Sequence, residues 1–173
     1  MKKTIIIRMA NKADHNDVRK FIELVDEDFY PPLSKRGGGI PERIEASLDT
    51  SESNYLVAEL DTPDDNEQAH RIIGMIGCTW NWKGEDTAYI NFLATHPDHR
   101  RSGISKELYI RLEEILAEQG LRTIYLCTWS GNPGAKKFYE GLGYKAYSIV
   151  LNDRGNGVDT IYYKRYIPQY AKQ

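Results

Sequence analysis

The run Leu93-Ala-Thr-His-Pro-Asp-His-Arg-Arg-Ser-Gly-Ile-Ser-Lys106 is where residue types and spacing come closest to specifying chemistry. An apolar, strand-like end at Leu93, Ala94 and Thr95 meets a proline-containing turn. Arg100-x-x-Gly103-x-Ser105 then leads directly into an amphipathic segment. Small residues at 102, 103 and 105 let backbone N–H groups come close to a ligand. The first turn of a helix contributes unsatisfied donors and the positive end of its dipole. That combination seats a pyrophosphate. The spacing is neither that of a P-loop nor that of the dinucleotide fingerprint, and taken alone the Arg-x-x-Gly core reads as readily as a plain strand–turn–helix with a tight entry.

A second constellation lies downstream. Asn132-Pro133 has the form of a helix N-cap followed by a first-turn proline. Phe138-Tyr139-Glu-Gly-Leu-Gly143-Tyr144 follows, with Tyr139 seven positions after the asparagine. Beside Phe138, Tyr139 reads by itself as a core tyrosine.

The elements that must position these residues follow from periodicity. Thr4–Met9 reads as a strand, and Asp14–Asp28 as a helix with Val18, Phe21, Ile22 and Val25 on one face. Pro31-Pro32 stops it. A glycine-rich loop, a short helix from Pro41 to Leu48 and a strand from Asn54 to Leu60 come next. After a polar turn from Asp61 to Gln68, Arg71–Trp82 and Asp86–Ala94 form a pair of strands around Lys83-Gly84. A helix spans Ser102–Glu118, with Ile104, Leu108, Leu112, Ile115 and Leu116 as its buried stripe. A strand at Arg122–Thr128 and a helix from Asn132, closed by glycines 141 and 143, precede a hairpin. The hairpin joins Tyr144–Leu151 to Asp159–Ile167 around Asn152–Gly157. The order describes one α+β domain, residues 1–173, with helices on both faces of a sheet.

Composition bounds the rest. A chain of 173 residues with 40% apolar and 28% charged residues can bury a core. A net charge of -2 gives no electrostatic reason to expect nucleic acid. Cys78 and Cys127 are far apart in apolar runs and read as buried free thiols. The four histidines show no metal-ligand spacing. No segment approaches a membrane span or a signal-peptide core, so the expected location is the cytoplasm. The twelve tyrosines, several at alternate positions, are expected to be half-buried on strands.

Taken together, LATHPDHRRSGIS and Asn132 followed by FYEGLGY resemble the two signatures of the GNAT superfamily of acetyl-CoA-dependent N-acetyltransferases. The first is Q/R-x-x-G-x-G/A after a strand and turn. Ser105 departs from it where glycine or alanine is usual. The specific stretch runs from Tyr89 to Tyr144, and the likeness extends from Thr4 to Ile167.

The resemblance implies a GNAT fold: a mixed, mostly antiparallel twisted sheet of about seven strands, splayed between the fourth and fifth. It implies acetyl-CoA as co-substrate, no metal, and a primary amine acceptor, more in keeping with a small molecule than a protein. It leaves room for a homodimer. By position, the backbone of Leu93, Ala94 and Thr95 would pair with the pantetheine arm. N–H groups from Arg101 through Ser102, Gly103, Ile104, Ser105 and Lys106 would hold the pyrophosphate. The side chains of Arg100, Arg101 and Lys106 would add charge or form a solvated basic turn. Asn132 would touch pantetheine or serve as an N-cap.

Tyr139 would be the general acid, because a phenol with a reference pKa of about 10 stays protonated at neutral pH and can donate to the departing thiolate. Many relatives carry a glutamate base at the position of Tyr89, others near Cys127. Neither is acidic here, so the base stays open among Glu27, Asp28, Tyr30, Asp86 and Asn91. That gap keeps alive an alternative, a catalytically weak acyl-CoA-binding regulatory module. The acidic run Glu23, Asp26, Glu27 and Asp28 leans the acceptor toward a cationic small molecule, and equally suits a solvated helix end.

Overall fold

The computed structural model describes residues 4–39, 42, 47–48, 50–61 and 72–168. Seven strands form a sheet in the order β1-β2-β3-β4-β5-β7-β6. They are β1 (Ile5–Met9), β2 (Ser53–Leu60), β3 (Ile72–Trp80), β4 (Thr87–Thr95), β5 (Thr123–Trp129), β6 (Lys145–Val150) and β7 (Thr160–Tyr166). Three α-helices stand among the described residues: α1 (His15–Leu24), α2 (Ile104–Glu118) and α3 (Pro133–Gly141). The sheet is mixed, with β4 and β5 parallel and β5–β7, β6–β7 and β1–β2 antiparallel. The helix expected from Pro41 to Leu48 and the turn from Asp61 to Gln68 fall largely outside the described residues. None of the described helices is long and apolar enough to cross a membrane.

The chain resolves into two compact units, one of Met1–Cys78 with Phe92–Glu114, the other of Thr79–Asn91 with Ile115–Gln173. In the first, α1 buries Val18, Phe21 and Ile22 in a cluster with Val57, Met75 and Phe92. Phe92 lies edge-on to Phe21 and stacks on Phe29 at 5.2 Å. On the other face, Gly74 of β3 admits α2, since a Cβ there would come within 2.6 Å of Ile104 and 3.1 Å of Leu108. Helices therefore cover both faces, as expected. Arg8 ties β1 down by bidentate pairs to two buried acids, Asp14 (2.6 and 2.7 Å) and Glu59 (2.7 and 3.0 Å). Each acid keeps a charged partner where an isolated one would be costly.

Several element ends differ from expectation for local reasons. α1 stops at Leu24 rather than Asp28, and a separate turn of 3-10 helix follows over Asp26–Asp28. The buried Asp26 carboxylate there accepts from the Ser34 N–H (2.8 Å) and hydroxyl (2.6 Å), which turns the chain away from the helix axis. β3 ends at Trp80 because Asn81 takes φ 57, incompatible with a strand. In α2 the fully buried aromatic is Tyr109, its hydroxyl donating to Glu113 one turn on (2.7 Å), while Ile115 is only half-buried.

Gly77 of β3 offers a stability test. A Cβ at this position would lie 2.4 Å from two atoms of the Tyr55 ring, whose hydroxyl is bonded to Ser47 (2.9 Å). Gly77→Ala should destabilise the chain by about 1–3 kcal/mol through overpacking. Chemical denaturation checks this, and an unchanged midpoint would mean that the ring swings aside freely.

Candidate functional site

In the first unit, β4 runs out at Thr95 into a 3-10 turn, Pro97–His99. His96 anchors that turn: its backbone N–H donates to Ile73 (2.8 Å) and its Nδ1 accepts from the Asp98 N–H (3.1 Å). The chain then passes through two left-handed residues, Arg101 (φ 59) and Gly103 (φ 87), before α2 begins at Ile104. The expected helix start at Ser102 is thus two residues early, because Gly103 cannot hold a left-handed φ and belong to the helix. Arg100, Arg101, Ser102 and Gly103 are exposed, and Ile104 is buried, pinning the helix start. Ser105 accounts for its own departure from the motif, since its hydroxyl shares a 2.8 Å hydrogen bond with Thr95, joining the loop to the end of β4. Ser102 closes the turn by donating to the His99 carbonyl.

The Arg100 side chain pairs with the Asp28 carboxylate. With Asp26 held by Ser34 and Glu23 paired with Arg19 (3.3 Å), three of the four acids in the Glu23–Asp28 run are committed to neighbours. The electrostatic lean toward a cationic acceptor loses its basis, and Asp28 is already engaged as a base candidate.

In the second unit, the parallel β4–β5 ladder holds four pairs among the described residues, Thr87↔Thr123 to Ile90↔Leu126. Asn132 caps α3, its Oδ1 accepting from the Ala135 N–H (3.1 Å), with Pro133 in the first turn. Tyr139 lies inside α3, 8% exposed, with ring centroids 5.3 Å from Phe138 and 5.7 Å from Tyr144. On β5 the Thr128 hydroxyl is buried with no hydrogen-bond partner among the described residues.

Tyr89 and Cys127, the neighbourhood in which the resemblance would place a base, touch each other. The Tyr89 hydroxyl donates to Cys127 Sγ at 3.0 Å. Burial, then the neighbouring Cys127, push the Tyr89 phenol far above its ordinary value, so it stays protonated and cannot accept the amine's proton near neutrality. Cys127 is half-buried rather than buried and also accepts from Arg154 at 3.2 Å. Cys78 is buried as expected, its thiol pushed up to about 12 by burial and therefore inert. Among the described residues no group of three or more His, Cys, Asp or Glu could hold a metal ion.

Sequence reasoning passed over one feature of this unit. Tyr125, Cys127 and Trp129 alternate with buried Ile124, Leu126 and Thr128, so they share the half-exposed face of β5. The period-two placement of aromatics in 125–129 and 162–166 carried that signal. Only the strand register shows that Tyr162 stands opposite Cys127.

The profile described as the Acetyltransferase (GNAT) family matches residues 18–144. An uncharacterized N-acetyltransferase of Methanocaldococcus jannaschii is 24% identical over 152 residues, 86% of this chain and 64% of that protein, so the chain spans under two thirds of its length. An aminoglycoside 6'-N-acetyltransferase solved with coenzyme A superposes with a TM-score of 0.74 at 19% identity, covering 96% of this chain and 99% of that one. Arabidopsis thaliana NAA60, solved with a bisubstrate analogue, gives 0.76 at 17% identity over 96% and 100%. With the mixed seven-stranded sheet, the left-handed turn opening α2 and a family match over most of its length, the chain belongs to the acetyltransferase (GNAT) family.

Proposed function

We propose that this chain is an N-acetyltransferase that moves the acetyl group of acetyl-CoA directly onto a primary amine. The left-handed pair Arg101 and Gly103 at the start of α2 carries the reading, because such residues in a turn before a helix are a backbone form that suits anion-binding N–H groups. In this reading N–H groups from Arg101 to Lys106 hold the pyrophosphate, with the exposed side chains of Arg101 and Lys106 adding charge while Arg100 stays paired with Asp28. The backbone of Leu93, Ala94 and Thr95 pairs with pantetheine, and Asn132 fixes the start of α3. The nitrogen of the neutral amine bonds to the acetyl carbon as the C–S bond breaks, Tyr139 donates its hydroxyl proton to the departing thiolate, and the proton shed by the nitrogen returns through water to the tyrosyl oxygen. That the relatives solved with coenzyme A, acetyl-CoA or a bisubstrate analogue share the fold supports acetyl-CoA as donor. We read residues 1–173 as one N-acetyltransferase domain, because β3, β4 and α2 each run through both compact units. The reading further takes the acceptor as a small molecule and the location as the cytoplasm.

Millimolar acetyl-CoA should raise the melting temperature, since a ligand bound only by the folded state stabilises it by RT ln(1 + [L]/Kd), about 2.7 kcal/mol at 100 times Kd. Acetate should not. Differential scanning fluorimetry reads both, and no shift with acetyl-CoA sinks the proposal. The Tyr89–Cys127 contact, which stands where relatives carry a carboxylate, favours a second reading as an acyl-CoA-binding regulatory module. A melting shift with no acetyl transfer to any amine in a broad panel would select it.

A further inference from the structure

Asp28 stands on a braced segment of the first unit. Two residues before it, the buried Asp26 carboxylate is fixed by the Ser34 N–H and hydroxyl. One residue after it, the Phe29 ring stacks on Phe92 of β4. The Asp28 backbone N–H itself donates to the carbonyl of Val25 (3.0 Å), a residue with no exposed surface. The carboxylate is thus carried on a fixed support.

The turn that this carboxylate reaches is built from short-range bonds. The His99 N–H donates to the His96 carbonyl (2.9 Å), the Arg100 N–H to the Pro97 carbonyl (3.4 Å) and the Ser102 hydroxyl to the His99 carbonyl. Such bonds set the local shape of the turn. At its two ends the His96 N–H is tied to Ile73 and Ile104 is buried. Between those ends, the Arg100–Asp28 ion pair reaches a segment 72 residues away. It acts on the residue directly before Arg101, whose φ of 59 a non-glycine residue keeps only where its surroundings hold it.

We propose that Asp28 is a positioning residue for the donor: through Arg100 it holds the Arg101–Gly103 turn in its ligand-receiving form, so that acetyl-CoA binding depends on the segment that follows α1. The proposal rests on the acetyltransferase reading, and calorimetric titration with acetyl-CoA tests it without an acceptor. A carboxylate that merely stood near the seat of a polyanion would repel it, and its removal would strengthen binding. Asp28→Asn should instead weaken acetyl-CoA binding about three- to fivefold, the scale of one partly exposed ion pair. Asp28→Glu, which can re-form the pair, should recover most of that loss. In an Arg100→Gln background Asp28→Asn should cost nothing further, because its partner is already gone. The two side chains are 48% and 42% exposed, so the fold is not at stake, and the melting temperature without ligand checks this. Equal or tighter binding in Asp28→Asn overturns the proposal, as does a loss of the same size with and without Arg100. A wild-type chain that binds no acetyl-CoA would sink the donor reading itself, so the two failures are distinguishable.

Discussion

Tyr139→Phe is expected to lower kcat by about 10²–10⁴-fold, the usual contribution of a positioned general acid, while acetyl-CoA affinity changes little. The substitution keeps the ring, and with it the edge contacts to Phe138 and Tyr144 that hold the side chain in place on α3. What disappears is the hydroxyl alone. If that hydroxyl serves the departing thiolate, the loss falls on turnover at saturating substrate. If it only completes a structural hydrogen bond, stability drops by about 1 kcal/mol instead, and kcat stays put. Measuring kcat and melting temperature on the same variant separates the two. Full turnover in a destabilised variant would remove Tyr139 from the mechanism and leave catalysis to positioning and backbone polarisation of the thioester.

Gly103→Val should abolish the melting shift caused by acetyl-CoA, a loss of 100-fold or more in affinity where the ligand would otherwise add about 2.7 kcal/mol. A Cβ at Gly103 meets nothing within 4 Å, so the fold has room for it. The conflict is with the backbone and the ligand. At φ 87 a β-branched residue is strained, and relaxing that strain turns the loop's N–H groups away from a common focus. Gly120 supplies the control. It has φ 81 and equally open space, at the other end of α2. Gly120→Val should cost similar stability yet keep the acetyl-CoA shift. Loss of the shift in both variants would trace the effect to general destabilisation and remove the loop from ligand binding.

What sequence could show was governed by distance along the chain. The stripe Ile104, Leu108, Leu112 and Leu116 is a local period, and those four residues are buried as the period demands. The N-cap at Asn132 and the final hairpin are likewise short-range chemistry, legible because the residues that define them are adjacent. The positive φ of Gly103 is the kind of conformation its residue type suggests, whereas Arg101 carries no such mark and its left-handed backbone is set by the turn around it. Contacts between distant segments were invisible. Arg100 and Asp28 are 72 residues apart, Tyr89 and Cys127 are 38 apart, and nothing at either end announces the partner. The acidic run illustrates the cost, since its charges suggested a ligand until their internal partners were located. The aromatic face needed the β5–β7 register, because a shift of one residue would have sent the same tyrosines to the opposite side.

The position of β7 between β5 and β6 has a consequence for the growing polypeptide. β5 and β6 are synthesised first, yet neither is the other's neighbour in the sheet. Until Thr160–Tyr166 has left the ribosome, the edge of β5 that β7 will cover and the whole of β6 present open hydrogen-bonding groups. β7 pairs locally with β6 as a hairpin and docks on β5 through its other edge, a closure that comes late and leaves that edge of β5 open in the meantime. A nascent chain that ends before Thr160 carries two sticky edges where the finished protein has a continuous ladder, which makes this last strand the place where synthesis and folding are most tightly bound together.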